Sequence, residues 1–472
     1  MSGFKRELKL FDAVMIVAGT MIGSGIFIVS SDIAREVGSA GYLLLVWLIS
    51  GFITLVGALS YAELAGMMPK AGGQYVYLRE AYNPLVSFLY GWTLFLVIQT
   101  GTIAAVGVAF ARFTGVLLPN MFNDSAIILD LGFLQISTLQ VLAIFTILLL
   151  TYLNSRGVRN GKLIQNVFGS TKIIALFALI LLGFIIGQHA DAISSNFSQM
   201  WQPERVLVTE GQVVGSTPLS GINIVVAIGI ALIGALFSSD AWNNISFAGD
   251  EVVDPTKTLV RSLAIGTGLV TFTYMLVNIV YLLVLPLSEI QTAASDRVAV
   301  TAAEAIGGSG ATLAIAVLIM ISTFGCINGC ILAGARVYYA MAKDGLFFPG
   351  MRKLNKKGVP GAALWFQGLW ASLLCLSGTY GSLLGYVMFA VIFFYILTII
   401  GIYILRKKMP DLPRPYKAIG YPFLPACYIL LASAFCLILL IYRPENSWPG
   451  FILVLLGIPV FLLFKTKFKI SD

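Results

Sequence analysis

The stretch GTMIGSGIF, residues 19–27, lies inside an apolar run that otherwise predicts a membrane-spanning helix. Gly23, Ser24 and Gly25 follow one another there, and none of the three is a strong helix former. A backbone that leaves the helix inside a bilayer has no water to bond, so such a break is tolerated only where it is buried in protein or lines a cavity. The stretch therefore predicts a broken helix beside a site.

The composition places this break in a membrane protein. The chain has 472 residues, of which 58% are hydrophobic and 11% charged, whereas soluble domains carry about 25% charged residues. Apolar runs of about 17 to 30 residues recur to the end of the chain and predict helices rather than barrel strands. We expect an all-α membrane protein without a cleavable signal peptide.

About twelve transmembrane helices are predicted, and we number these spans in chain order. Their predicted bounds are 11–36, 41–67, 84–116, 137–156, 160–187, 221–250, 258–286, 310–341, 361–377, 379–406, 420–442 and 447–465. Prolines and glycines lie in most of the connections, as expected for chain reversals.

The basic residues orient the chain in the bilayer. If the N-terminus is cytoplasmic, the outer connections carry only Arg35, Arg205, Arg297 and Arg443, and most other Lys and Arg residues face the cytoplasm. This bias predicts a multi-pass protein of the cell membrane (inner or plasma) with both termini cytoplasmic. The formal charge of +8 is then explained by topology, and we expect no binding of nucleic acid.

A second break is predicted in span 6. In GALFSSDAWN, residues 234–243, Ser238, Ser239 and Asp240 interrupt an apolar helix. Spans 1 and 6 are five spans apart, and an odd number of spans inverts the second copy of a repeat. Two broken helices in corresponding places are typical of inverted-repeat transporters whose site lies at the breaks. The alternative is that Gly and Ser only allow close helix packing.

The two breaks together predict the ligand. The N–H groups near Gly23, Ser24 and Gly25 begin a half-helix whose positive end attracts a carboxylate, and Ser24 can cap that half-helix. The carbonyls of residues 236–238 end a half-helix whose negative end suits an ammonium group. A ligand that carries both groups a few ångströms apart is an α-amino acid.

Two residues of span 6 have more than one interpretation. Asp240 either caps the second half of span 6, which we favour, or attracts a cationic substrate group. Phe237 stands at the break, where its ring could close over a ligand as a gate or serve only as a core aromatic. We expect the substrate amine to lie near Phe237, Ser238 and Asp240.

Four stretches carry a resemblance to a known family. GTMIGSGIF is similar to the helix 1 motif of the amino acid–polyamine–organocation superfamily. The other three stretches resemble the L-type amino acid transporter branch of this superfamily. They are SYAELAGMMPKAGGQYVYLREAYNP (60–84), AWNNISFAGDEVVDPTKTL (241–259) and RPYKAIGYPFLP (414–425). The resemblance covers nearly the whole chain. It implies the LeuT-like fold, in which ten core helices form two inverted five-helix repeats and two more helices follow.

The resemblance also implies domain bounds and a function. Residues 1–406 would form the transport core, with repeat one at 11–187 and repeat two at 221–406, and residues 407–472 would hold helices 11 and 12. The expected function is sodium-independent exchange of neutral L-amino acids by alternating access. Alternatives are a proton-coupled amino acid symporter, a carrier of cationic amino acids or polyamines, and an amino acid sensor that does not transport.

Several site roles follow from the resemblance alone. Met21 matches a residue whose carbonyl binds the substrate amine, and Ser24 and Gly25 match carboxylate-binding residues. Phe237 matches an aromatic gate, and Asn243 matches an asparagine of the pocket.

Lys172 lies in span 5, about 15 Å from the inner edge at Lys162, near the middle of the bilayer. Such a lysine is expensive to insert and is by default functional, although it could only hold helices together. It matches a helix 5 lysine that takes the place of a sodium ion in sodium-coupled relatives. We expect it to bond carbonyls of the span 1 break and hydroxyls of span 8, where Ser322 and Thr323 are the candidates.

Other classes of function are disfavoured. The sequence contains no HExxH motif, no paired acidic residues within one span and no intramembrane histidine, so we expect neither an enzyme nor a metal or cofactor. Polar rings of a channel are also missing. The loop at about 117–136 has no cysteine, whereas animal members of the branch tie a heavy chain through a cysteine there. The expected partners are therefore an amino acid and the lipid bilayer, without a disulfide-linked heavy chain.

Overall fold

The structure is a computed structural model that describes the backbone of residues 4–123, 126–130, 135–376 and 380–468. Ten helices in these ranges are long and apolar enough to cross a membrane. They are Leu10–Ile28, Ala40–Met67, Pro84–Leu117, Thr138–Ser155, Val158–Ile185, Pro255–Val284, Val298–Lys343, Val387–Lys408, Phe423–Tyr442 and Ser447–Phe464. They correspond to spans 1–5, 7, 8 and 10–12, and the expectation of an all-α membrane protein is confirmed.

Spans 6 and 9 contain shorter helices than the other spans. Span 6 begins as the apolar helix Ile222–Ser238, and span 9 is the helix Gly361–Leu374. Within the described ranges a helix therefore lies at each of the twelve predicted places, although ten of them meet the length of a full crossing. The predicted start of span 10 falls on residues 377–379, which lie outside the described residues.

Span 1 is broken where the glycines predict it. A first half-helix, Leu10–Met21, ends at Ile22, and the chain becomes helical again at Gly25–Ile28 and continues as Ser30–Val37. Because Gly23 N bonds Met21 O at 2.9 Å, the carbonyl of Gly19 loses the partner that a continuous helix would give it. The break therefore leaves backbone acceptors free for other groups.

Span 6 is also broken, but its second half differs from the expectation. After Ser238 the chain passes through Ala241, whose φ of 66° is left-handed, and only the short turns Asn244–Phe247 and Gly249–Glu251 follow. The helical turn begins after Asn243. The expectation that Asp240 caps this half is therefore wrong, because Asp240 lies three residues before the N-cap position.

Span 3 contains a feature that hydropathy does not predict. Its α-helices Pro84–Thr93 and Gln99–Leu117 flank a π-helical turn, Leu94–Ile98. The Thr100 hydroxyl, just after this turn, donates to the carbonyl of Phe95 within it at 2.6 Å. A π-turn inserts one extra residue and so rotates the side chains that follow it.

Burial separates a core from a periphery. In its most apolar window span 1 is 94% buried, whereas spans 11 and 12 are 33% and 28% buried. Span 1 packs against spans 5, 7 and 8, and span 7 also packs along span 2. The broken helix is therefore enclosed by other helices, as a non-helical backbone at membrane depth requires.

Short elements cover the ends of the bundle. Two antiparallel hairpins are described, Ile127–Asp130 with Gln135–Ser137 and Glu204–Thr209 with Gln212–Pro218. Short helices outside the spans are Gln74–Ala81, Ala190–Ser198 and Leu287–Gln291.

We call the end of the bundle that carries residues 7–9 the N-terminal face. There Leu8 pairs with Val252 as a β-bridge. At the opposite face, Glu36 at the end of span 1 forms ion pairs with Arg205 of the second hairpin at 3.0 Å and with Arg443 at 2.6 Å.

Candidate functional site

The breaks of spans 1 and 6 lie against each other inside the bundle. The Thr20 hydroxyl lies 3.0 Å from the carbonyl of Ala241. The Tyr274 hydroxyl of span 7 lies 3.1 Å from the carbonyl of Met21 and 3.0 Å from that of Ser238. One side chain thus contacts two of the carbonyl groups to which we assigned the substrate amine, one from each break.

The glycines of span 1 allow this close approach. A Cβ built on Gly25 would collide with the Ser238 hydroxyl and lie 2.7 Å from its Cβ. A Cβ on Gly23 would lie 3.1 Å from the sulfur of Cys326 on span 8. Glycine is therefore required at Gly25 for the two helices to keep this distance, which is a close backbone approach of the kind glycine permits.

A small cavity lies between the breaks. Seven of the predicted site residues line it, and they are Met21, Gly23, Ser24, Gly25, Phe237, Ser238 and Asp240. Its volume is about 10 Å³, which is about the room that the centre of one water molecule needs. The cavity is thus too small for an amino acid, which would enter only after side chains or half-helices move apart.

A second cavity of about 20 Å³ adjoins the first and shares Thr102, Asp240 and Ala241 with it. Asn243, the predicted pocket asparagine, lines this second cavity. Its amide donates to the side chain of Gln74 at 3.0 Å. The second cavity therefore extends the site from the span 6 break toward amide side chains.

Asp240 lies at the junction of these cavities and lines a third. Its carboxylate accepts a hydrogen bond from the hydroxyl of Tyr395 on span 10 at 2.7 Å. Among the ion pairs of the described residues, none involves Asp240. A buried carboxylate held by neutral donors is an electrostatic feature of the site wall.

Lys172 is 1% exposed and contacts the span 1 break. Its ammonium donates to the carbonyls of Gly19 at 2.6 Å, Ile22 at 2.6 Å and Ser322 at 3.0 Å. Three donors therefore meet three acceptors, so the charge is fully hydrogen-bonded, and within the described part of the chain it has no anionic partner. The carbonyl of Gly19 is the acceptor that the break leaves free.

The two candidate hydroxyls of span 8 behave differently. The Ser322 hydroxyl lies 3.1 Å from the carbonyl of Ile22 and 3.2 Å from that of Gly23, so it reaches the break. The Thr323 hydroxyl bonds carbonyls of its own helix, at Ile319 and Met320. The ammonium of Lys172 meets the backbone carbonyl of Ser322, rather than either hydroxyl.

Comparisons with known proteins agree with this geometry. The family model described as "Amino acid permease" matches residues 8–463. The chain belongs to the amino acid permease family.

Curated relatives extend the comparison. The permease is 32% identical to the human "Large neutral amino acids transporter small subunit 2", over 97% of the permease and 80% of the relative. It is 28% identical to the mouse "b(0,+)-type amino acid transporter 1", over 98% and 88%. It is 30% identical to the mouse "Asc-type amino acid transporter 1", over 97% and 81%. Amino acid transport is thus the activity of the family, and the resemblance to its L-type branch is confirmed.

Sequence reasoning missed several residues of the permease site. Tyr274 and Tyr395 contact the breaks from spans 7 and 10, and Thr102 lines both inner cavities from span 3. Cys326 also lines the cavity, and its thiol donates to the carbonyl of Thr20 at 3.0 Å. Among the described residues no group of His, Cys, Asp and Glu could hold a metal ion.

The site of the permease is separated from solvent by more protein at the N-terminal face than at the opposite face. At the N-terminal face, Glu251 and Arg336 form an ion pair at 2.8 Å, and each side chain is 1% exposed. At the opposite face, a cavity of about 560 Å³ reaches Val29 and Gly234. Gly234 lies one helical turn before Ser238, so only a thin layer separates this outer cavity from the site.

Proposed function

We propose that the permease exchanges neutral L-amino acids by alternating access and requires no sodium. The observation that carries this proposal is the ammonium of Lys172 on the carbonyls of Gly19 and Ile22. A cation bound at these carbonyls would steady the broken helix, and the ammonium of the lysine supplies that charge from within the chain. Sodium would then find its oxygen ligands already occupied.

The two charged groups of an amino acid match the two helix ends that meet at the site. The carboxylate would bind the backbone N–H groups of residues 23–25, at the positive end of the half-helix that follows. The ammonium would bind the carbonyls of Met21 and Ser238, which the Tyr274 hydroxyl now contacts. Binding would therefore displace or share this hydroxyl. Phe237 would close over the ligand, and Asn243 would contact its side chain through the second cavity.

The proposed architecture is LeuT-like. Residues 1–406 would form the transport core, with inverted repeats at 11–187 and 221–406, and residues 407–472 would add two helices. Both termini would face the cytoplasm of a cell-membrane protein. The human relative is named a small subunit, but the loop at 117–136 of the permease has no cysteine. We therefore propose that no heavy chain is joined by a disulfide there.

The test is uptake of labelled amino acid into proteoliposomes. Vesicles preloaded with unlabelled amino acid should take up label much faster than empty vesicles, and equally with and without sodium. The α-methyl ester of the substrate should not compete, because it lacks the carboxylate. Strict sodium dependence, or competition by the ester equal to that of the free amino acid, would refute the proposal.

A cationic substrate is the second candidate, because Asp240 lines the cavities and forms no ion pair with any residue that the structure describes. Arginine and lysine belong in the same competition panel. Stronger competition by these two than by neutral amino acids would favour the second candidate. Uptake driven by a pH gradient into empty vesicles would favour proton symport, and binding without uptake would favour a sensor.

A further inference from the structure

Three buried amide side chains form a continuous hydrogen-bonded chain beside the first half of span 1. Asn154 donates to Asn328 at 2.8 Å, and Asn328 donates to the side-chain oxygen of Gln165 at 3.2 Å. Gln165 in turn donates to the carbonyl of Met15 at 3.1 Å. Each amide is at most 3% exposed. The chain links spans 4, 8 and 5 and ends on the half-helix Leu10–Met21.

Glycines on three spans make room for these amides. A Cβ on Gly329 would lie 3.0 Å from the Gln165 oxygen. A Cβ on Gly19 would collide with the Gln165 nitrogen, and one on Gly161 with the Asn154 oxygen. Apolar side chains would fill the same space without burying polar atoms. The amides therefore fix the position of span 1 through hydrogen bonds, and they do more than fill space between the spans.

Span 5 holds the first half of span 1 at two heights. Lys172 and Gln165 are seven residues apart, which is about two helical turns, so both face span 1. Lys172 bonds the carbonyls of Gly19 and Ile22 at the break, whereas Gln165 bonds that of Met15 one turn earlier. Lys172 thus contacts the site itself, and Gln165 contacts only the half-helix below it.

We infer that Gln165, oriented by Asn328 and Asn154, is a positioning residue that sets the angle of Leu10–Met21 and favours the state closed on the N-terminal face. This inference rests on the proposed alternating access. The half-helix Leu10–Met21 runs from the N-terminal face, where Leu8 pairs with Val252, to the break at the site, so its movement would open the site toward that face. The bond to Met15 belongs to the closed arrangement, and its loss raises the population of the open one.

The experiment replaces the amide with an apolar side chain of similar length, Gln165→Met. Exchange is measured in vesicles of known orientation, with substrate supplied from each face in turn. The half-saturation constant at the N-terminal face should fall by up to about fivefold, the population shift that one neutral hydrogen bond supports. The half-saturation constant at the opposite face should stay nearly unchanged, because most molecules are already in the state that is closed on the N-terminal face.

The matched control is Gln367→Met. Gln367 is also fully buried and donates to a carbonyl at 3.2 Å, but that carbonyl belongs to Ile331 on span 8 and not to span 1. This control should leave both half-saturation constants alone. Equal changes on both faces in Gln165→Met, or the same pattern in the control, would overturn the inference and leave the amide chain a scaffold.

A second measurement needs no transport. A thiol reagent supplied from the N-terminal face should label Cys326, which lines the site cavity, faster in Gln165→Met than in the parent or in Gln367→Met. Mass spectrometry of the Cys326 peptide separates this label from those on other cysteines. If the parent shows no exchange, the proposed function fails. If Cys326 is labelled at the same rate in Gln165→Met as in the parent, the inference about Gln165 fails, whatever the exchange assay shows.

Discussion

At the scale of single residues, Lys172 and the break in span 1 depend on each other. An unpaired lysine at membrane depth costs about 3 kcal/mol or more. The carbonyls of Gly19 and Ile22 offset that cost, and the one at Gly19 is available only because the helix is broken. Without the lysine, the same carbonyls would lie buried with fewer partners. The pair is therefore a single unit of the site.

Replacement of the lysine should separate transport from folding. Lys172→Met removes three donors, and each buried acceptor left unpaired costs about 1–3 kcal/mol. We expect exchange to fall by about tenfold or more, while the protein still inserts and purifies. Uptake into preloaded proteoliposomes measures the effect, and size-exclusion chromatography reports the folded fraction.

Arg159→Met is the control for this prediction. Arg159 lies on the same helix, and its side chain is exposed, so its loss should leave exchange near that of the parent. If Lys172→Met exchanges like the parent at every pH tested, the lysine has no role in transport. A parent that transports in a narrow pH range and a variant that ignores pH would instead support proton coupling.

Single residues were predictable where the local sequence departs from an apolar helix, as the charge of Lys172 does within span 5. Gly23, Ser24 and Gly25 stand out because they are poor helix formers within an apolar run. Tyr274 and Tyr395 reach the span 6 break from positions 36 and 155 residues away from their partners. A lone tyrosine in a membrane helix has no local pattern, so only the fold could identify these contacts.

At the scale of elements, the breaks were predictable and their continuations were not. Span 6 was predicted to continue to residue 250, yet after Asp240 the chain forms only the short turns Asn244–Phe247 and Gly249–Glu251. Contacts with other spans hold it there, including the Thr20 hydroxyl on the carbonyl of Ala241. The π-turn Leu94–Ile98 was likewise hidden, because one inserted residue leaves the hydropathy of span 3 unchanged.

The contact between the two half-helices can be tested at Gly25. In Gly25→Ala the added Cβ would collide with Ser238, so spans 1 and 6 must move apart. We expect exchange to fall by about tenfold, since overpacking costs about 1–3 kcal/mol. Ser238→Gly removes the colliding atoms, and the double variant should therefore recover part of the lost exchange. Proteoliposome uptake measures all three variants.

Gly268→Ala is the matched control, because a Cβ at this glycine of span 7 meets nothing within 4 Å. It should keep parental exchange and gain slightly in thermal stability, as alanine is the better helix former. Parental exchange in Gly25→Ala would show that the close contact with Ser238 is dispensable. If exchange does not recover in the double variant, the effect of Gly25→Ala does not come from the collision with Ser238.

At the scale of the whole molecule, the places of the helices follow from hydropathy, since long apolar runs have few alternatives in a bilayer. The hairpins Ile127–Asp130 with Gln135–Ser137 and Glu204–Thr209 with Gln212–Pro218 were not predicted. They lie in connections outside the spans, where apolar periodicity gives little information. Among Lys and Arg residues these two connections carry only Arg205, and this scarcity is part of the bias from which we predicted the orientation of the chain.

If that orientation holds, the outer cavity is accessible from outside the cell. Ile233 lines the cavity of about 560 Å³ at the face opposite the N-terminus, a volume that holds many water molecules at about 30 Å³ each. In intact cells a membrane-impermeant thiol reagent should label Ile233→Cys. It should label Lys353→Cys, exposed between spans 8 and 9, only after permeabilisation, because the basic connections are predicted to be cytoplasmic. The parent, with its five native cysteines, sets the background. The reverse pattern would invert the topology and make the cavity a route from the cytoplasm.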